Sequence, residues 1–266
     1  MIRKLLAFHF WLVVLFLLAP LIFLIPISLG ESQFLEFPPK QLSLRWYREF
    51  FQQESWMEAL SLSFRVGLGA TALSVIIGTL ASVALVRGNF PGRSILTALF
   101  IAPLIVPTVV LALGLYMVFL RWQLVDNTLA LTLAHAVVAL PYSILLVSSS
   151  LRSFDMTIER AARTMGAGPF KAFMLITTPH LAPSIFAASV LSFFASFDEL
   201  IITLFVSGGQ QTLPVRIWND LSLKIDPTVP AAAVMLTAVS ALLMLAGEMV
   251  RRRNEAHNQN SHNAEE

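Results

Sequence analysis

The amino-acid sequence contains apolar runs at about residues 5–29, 59–86, 95–120, 128–150 and 181–206, and a sixth that ends near Val250. Each reaches the roughly 20 residues that a helix rising 1.5 Å per residue needs to cross a hydrocarbon core about 30 Å thick. Inside that core no water pairs with backbone N–H and C=O groups, so such runs fold as helices that satisfy their own hydrogen bonds. Composition excludes a soluble alternative: 56% of the 266 residues are hydrophobic and 13% are charged, about half the charged fraction of an ordinary soluble protein. The expected architecture is an all-α polytopic membrane protein with six transmembrane helices. They form a single transmembrane domain over residues 1–250, followed by a polar tail over 251–266 that is expected to be disordered.

Arg3 and Lys4 precede the first run, which exceeds the 7–15 apolar residues of a signal peptide and lacks a small-x-small cleavage site, so it reads as a signal-anchor helix. Pro20 and Pro26 are expected to kink it. An external loop over residues 30–58 holds a short helix that Ser43 can cap, with Leu44, Tyr47, Phe50 and Phe51 on one side and with Trp46 and Trp56 suited to the membrane interface. The second run is rich in Gly, Ala, Ser and Thr, which let helices approach closely; Arg65, inside its outer end, is expected to snorkel outward. Pro103 and Pro107 predict kinks in the third run. His135, alone in the fourth, reads as hydrogen-bonded packing. Asp198 and Glu199 are costly inside the fifth and should face the bundle interior or a watery cavity, where helical geometry would turn only one of them squarely toward a central path.

The longest cytoplasm-like interruption, residues 151–180, carries the most specific pattern. Its core reads DMTIERAARTMGAGPFKAFMLITTP from Asp155 to Pro179. Asp155 or Thr157 can cap a first short helix, Gly166 and Gly168 can end it at positive φ, and Pro169 can open a second. In that second helix Phe170, Phe173, Met174 and Thr177 share an apolar edge that another surface must cover. A paired-helix loop of this kind reads as a docking element.

The segment resembles the EAA loop of permease subunits in binding-protein-dependent ABC importers, a pattern of Glu-Ala-Ala, three residues, Gly, nine residues, Ile, one residue, then Leu-Pro. Ala161, Ala162, Gly166, Ile176 and Pro179 stand at the matching spacing, with Arg160 in place of the Glu and Thr178 in place of the Leu. Glu159, one residue early, is expected to take the acidic role. The resemblance implies a type I ABC importer permease fold and an ATPase-coupling set of Glu159, Arg160, Ala161, Ala162, Gly166, Phe170, Ile176 and Pro179. Further wording is similar to the polyamine branch of these permeases: SLRWY at Ser43–Tyr47, Phe197-Asp198-Glu199, Ser207-Gly208, Leu213-Pro214 and Asp226-Pro227. That likeness implies Asp198 and Glu199 as substrate-path residues and putrescine or spermidine as the solute. Another small amino-containing or phosphonate solute is the alternative.

Basic residues set the expected orientation. With both termini in the cytoplasm, Arg3, Lys4, Arg87, Arg93, Arg152, Arg160, Arg163, Lys171 and Arg251–Arg253 lie inside, eleven in all; Lys40, Arg45, Arg48, Arg65, Arg121, Arg216 and Lys224 make seven outside or near that border. External loops then cover about 30–58 and 207–230, and the docking loop faces the cytoplasm of a bacterial inner membrane. The sequence has no Gly-rich loop ending in Lys and Ser/Thr, no HExxH and no cysteine, so neither a nucleotide site, a thiolate metal site nor covalent catalysis is expected on this chain. ATP and magnesium belong to a partner, an ATP-binding subunit expected as a dimer. The other expected partners are a second permease in a heterodimer, an extracytoplasmic solute-binding protein and the lipid bilayer. Nucleic acid is not among them, since the pI near 9.2 reflects only two net positive charges. Readings of another class are an intramembrane enzyme, for which His135, Asp198 and Glu199 are the candidate groups, and a channel.

Overall fold

The computed structural model describes residues 2–223, 226–242 and 245, and among them helix is the only regular secondary structure apart from one antiparallel bridge between Gly30 and Leu42. The helices are α1 (Ile2–Ser28), α2 (Arg45–Gln52), α3 (Glu54–Arg87), α4 (Arg93–Ile101) with a 3-10 turn at Ala102–Leu104, α5 (Thr108–Arg121) and α6 (Thr128–Ser153). They continue as α7 (Met156–Thr164), α8 (Pro169–Ala172) with a π-helical turn at Phe173–Thr177, α9 (Thr178–Phe197), α10 (Ile201–Val206), α11 (Leu213–Leu223) and α12 (Thr228–Leu242). Among the described residues four stretches are long and apolar enough to cross a membrane: Arg3–Ser28, Glu54–Arg87, Thr128–Ser153 and Pro169–Phe197. A fifth exists if α4 and α5 count as one span. The end expected for the sixth run near Val250, Arg251–Arg253 and the tail over 251–266 lie outside the described residues.

The described residues divide into two compact units, one of residues 2–61 with Val215–Leu242 and the other of Leu62–Pro214. In the first, α1 runs without interruption through Pro20 and Pro26, and its side chains are exposed along most of its length, Phe8 at 67% and Phe16 at 74%. A helix that is apolar all round and this exposed suits hydrocarbon rather than water. The chain then closes a loop through Ser43 N–H donating to the Leu29 carbonyl and Glu31 N–H to that of Gln41. Ser43 Oγ accepts from Arg45 N–H at the start of α2. The buried side of α2 is Trp46 and Phe50, one turn apart, while Leu44 and Phe51 are exposed, which corrects the face expected from the sequence. The reason is Trp56: it is wholly buried, packs on Phe50 at 5.2 Å and receives the Arg216 guanidinium over its ring, with Arg216 Nε held 2.9 Å from Asp220 Oδ2. Both tryptophans thus pack inside this unit instead of lying open at an interface.

In the second unit α6 is the central helix, with Leu131, His135, Ile144 and Val147 all fully or almost fully buried. Leu62, Val66, Ala112, Phe119, Leu131, Ala134, Ile202 and Val206 bring α3, α5, α6 and α10 into one cluster, and Val147, Leu151, Leu181 and Ala188 join α6 to α9 in another. Small residues permit the close approach of α3 to α6: a Cβ at Gly78 would lie 2.6 Å from Ser143 Cβ. Hydroxyls in these seams find partners, Ser143 Oγ with Ser192 Oγ and Ser82 Oγ with the Ile144 carbonyl.

The third run is not a kinked helix but a broken one, with Arg93–Leu104 and Thr108–Arg121 meeting at 105°. Pro107, at φ −53° and ψ 128°, is the N-cap of α5. Without an N–H it cannot continue the α4 ladder, and its ring disfavours helical backbone at Val106, so two prolines four residues apart end one helix and start another.

Candidate functional site

The loop expected to dock a partner begins where Phe154 leaves α6. Asp155 Oδ1 accepts from Thr157 N–H at 2.9 Å and caps α7, and these hydrogen bonds from Thr157 hold the exposed Asp155 carboxyl below its ordinary value. Helix α7 ends at Met165 in a paired closure: Gly166 N–H donates to the Arg163 carbonyl and Ala167 N–H to that of Ala162, with Gly166 at φ +93°. This is the left-handed stop that glycine adopts without a Cβ penalty. Gly168, which the sequence offered as a second positive-φ stop, is extended instead, at φ −62° and ψ 157°, because it is the residue preceding Pro169 and serves as the N-cap of α8.

The second half of the loop is not a separate short helix. From Pro169 the chain is helical through the π-turn to Phe197. Pro179 has no N–H to give the carbonyl four residues back, and the ladder shifts register just before it, with Thr178 N–H reaching the Phe173 carbonyl. The shift splits the expected apolar edge. Thr177 is wholly buried and Phe173 half-buried, whereas Phe170 and Met174 are exposed.

Glu159 is turned inward. Its Oε2 lies 2.9 Å from Arg87 Nη2 and accepts the Thr177 hydroxyl, Arg87 Nη2 also donates to Thr177 Oγ1 at 3.2 Å, and the guanidinium sits 5.3 Å from the Phe173 ring centre. The side chain of Glu159 is 7% exposed and that of Arg87 20%. A carboxylate this buried requires a charged partner and further hydrogen bonds, and both are supplied. The pair fastens the first helix of the loop to the last residue of α3. Of the remaining candidate coupling residues, Arg160, Ala161, Gly166, Phe170 and Pro179 are exposed, and Ala162 and Ile176 are half-buried.

The other candidate pair sits at a break, not on a helix. Asp198 is the C-cap of α9, at φ −90° and ψ 0°, and is exposed; Glu199, half-buried, accepts Ile202 N–H on Oε1 at 3.0 Å and caps α10. It is therefore not the turn of a helix, as expected from the sequence, that separates the two carboxylates. The cap engages Glu199 and leaves Asp198 open. Across the break stands His135 of α6, with Nδ1 3.0 Å from the Ser196 carbonyl oxygen and 2.9 Å from its hydroxyl, and Nε2 3.0 Å from Thr203 Oγ1. Nδ1 meets both polar groups of Ser196, and Nε2 meets the Thr203 hydroxyl, which also donates to the Glu199 carbonyl at 3.2 Å. One histidine thus ties the end of α9 to α10 on either side of Asp198.

Sequence reasoning did not find Arg87, Ser196 or Thr203 as members of these sites, and it placed Thr177 only on the apolar edge of the loop's second helix. Arg87 stood only in the count of inside basic residues, 72 positions from Glu159.

With this geometry in view, comparison with known proteins decides the family. Residues 74–256 match the model of the binding-protein-dependent transport system inner membrane component. The chain belongs to that family. It is 34% identical over 246 residues to the putrescine transport system permease protein PotI of Escherichia coli (strain K12), covering 89% of this chain and 87% of that one. With the spermidine/putrescine transport system permease protein PotC of the same organism it shares 28% over 238 residues, covering 89% and 90%. Among solved structures, the fold matches a bacterial ABC transporter that imports the acidic polysaccharide alginate with a TM-score of 0.71 at 12% identity, over 94% of this chain and 95% of that one. It also matches the MetNI methionine ABC transporter at 0.58 and 17% identity, over 78% and 97%. This permease is therefore a membrane-embedded subunit of an ABC importer, and its relatives are transport permeases.

Proposed function

We propose that the solute of this importer is a polyamine, putrescine or spermidine, and that Asp198 stabilises its ammonium groups as they pass. The observation that carries the reading is an open carboxylate at a helix break, in a chain whose relatives are PotI of a putrescine transport system and PotC of a spermidine/putrescine transport system. In transporters, discontinuous helices are where polar groups reach a path through the bilayer, and a carboxylate in a poorly screened passage attracts cations strongly. Glu199 contributes by fixing the start of α10.

The permease pairs with a second permease chain, receives solute from a binding protein outside the membrane and docks an ATP-binding subunit, the site of ATP and magnesium, on the loop from Glu159 to Pro179. Both termini lie in the cytoplasm, as the basic-residue count favours. Closure of the ATPase dimer shifts the helices between outward-open and inward-open states.

Asp198→Asn keeps the side-chain shape and removes the charge. Putrescine uptake should fall at least about tenfold, the loss expected when one charge-assisted contact worth about 1.4 kcal/mol disappears, with an unchanged amount of assembled transporter. Uptake at the parental rate would reject the cation-path role of Asp198.

A further inference from the structure

The outward face of the docking loop has a sign of its own. Glu159, one of the two acidic residues of the segment, is paired with Arg87 and Thr177 and presents almost nothing to solvent. One residue on, Arg160 is exposed. Arg163, one turn later on the same side of α7, and Lys171 on α8 are exposed as well. None of these three cations has a carboxylate within salt-bridge distance among the described residues. Asp155 is the exposed acid of the loop; its carboxylate accepts Thr157 N–H at the cap, stays ionised, and is stabilised in part by the charge of Arg160. Between the cations stand exposed apolar side chains, Ile158 at 53%, Met165 at 88% and Phe170 at 74%. Such side chains on a loop beyond the membrane are costly in water and mark a contact surface.

We propose that this permease engages its ATP-binding subunit through a cationic and apolar face, in which Met165 and Phe170 enter an apolar groove and Arg160 and Arg163 meet carboxylates on its rim, while Glu159 takes no part in the contact. The proposal rests on the reading of the loop as the ATPase docking site and adds the chemistry of the partner surface. A groove rimmed by Asp and Glu attracts this face and excludes permease loops with outward-facing acids, so the charge sets partner choice as well as affinity. The inward rotation of Glu159 leaves the exposed Asp155, at the start of α7, as the loop's outward anion against these three cations. Were the Glu159 carboxylate outside as well, Arg160 and Arg163 would have a second anion of their own chain beside them.

The native importer, isolated from membranes through a tag on this chain, tests the proposal in two ways. Arg160→Lys keeps the charge and introduces an amine that a zero-length carbodiimide joins only to a carboxylate in direct contact. Mass spectrometry should find the introduced amine linked to an Asp or Glu of the chain that carries the nucleotide-binding motif. A linkage solely to carboxylates of this chain, such as Asp155, overturns the proposal. Independently, Arg160→Glu combined with Arg163→Glu should lower the ATP-binding subunit retained per permease by about tenfold or more, as reversal of charges at a complementary interface does. Phe170→Asp serves as the control for docking itself. If Phe170→Asp releases the subunit and the double charge reversal retains it at the parental level, docking on this loop stands and the cationic face is refuted. If neither change releases it, both fall.

Discussion

Replacing Glu159 by Gln removes one charge from the pair that fastens the docking loop to α3 and leaves shape and hydrogen-bonding atoms nearly intact. Breaking a buried ion pair from one side costs about 3–5 kcal/mol, because the other charge stays behind uncompensated. Here Arg87 is 20% exposed and keeps both Thr177 and the Phe173 ring as neighbours, so part of that cost is relieved and about 2–3 kcal/mol is expected. The loss falls on local opening of α7 and α8 away from α3, since this contact ties the loop to the helix end. At about 1.4 kcal/mol per tenfold, the open fraction should rise about 30- to 150-fold. The chain has no cysteine, so Ala172→Cys, at a position 1% exposed, gives a single reporter whose maleimide labelling rate follows opening. Labelling should accelerate by that factor in Glu159→Gln. It should fall back toward the parental rate when Arg87→Gln is added, because the orphaned charge is then gone. A labelling rate within about twofold of the parent in the Glu159→Gln protein would refute the latch.

Gly166→Asp should leave the amount of permease in the membrane unchanged and reduce uptake, since an L side chain at φ +93° costs about 1–2 kcal/mol in the turn that presents Met165 and Phe170; parental uptake at normal abundance would contradict the role of that turn. Gly78→Ala should lower the thermal midpoint of the detergent-solubilised protein through an overpacking cost of about 1–3 kcal/mol, because its Cβ would lie 2.6 Å from Ser143 Cβ, and an unchanged midpoint would show that α3 and α6 yield there without strain. Reporter fusions after Asn219 and Asn258 should report opposite sides of the membrane, external and cytoplasmic respectively, and equal signals would overturn the orientation.

Much of the fold was legible because hydropathy runs answer to one physical constraint, the satisfaction of the backbone in hydrocarbon. That logic located the long helices and their order, and the spacing from Ala161 to Pro179 carried the resemblance to the family that the comparisons then showed. It could not show what prolines do in combination. Pro103 and Pro107 break the third run outright, and Pro179 shifts the helical register that the apolar edge from Phe170 to Thr177 presumed. Nor could local pattern tell which way Glu159 and Arg160 face, because the partner that draws Glu159 inward, Arg87, is 72 positions away in the sequence and near only after α3 has packed. The break at Asp198 was hidden for the same reason. Its surroundings are apolar enough to read as continuous helix, and the side chains that stabilise it, His135 and the cap made by Glu199, act through tertiary contact or through a hydrogen bond that composition does not reveal.

The most direct test of the whole account is transport by the purified native importer, isolated through a tag on this chain and reconstituted in liposomes with its binding protein on one side and ATP on the other. Radiolabelled putrescine or spermidine should accumulate only when ATP with magnesium is present on the side bearing the docking loop, and accumulation should stop when ATP is replaced by a non-hydrolysable analogue. Equal solute entry with and without ATP would contradict the assignment of this chain as the permease of an ATP-driven importer.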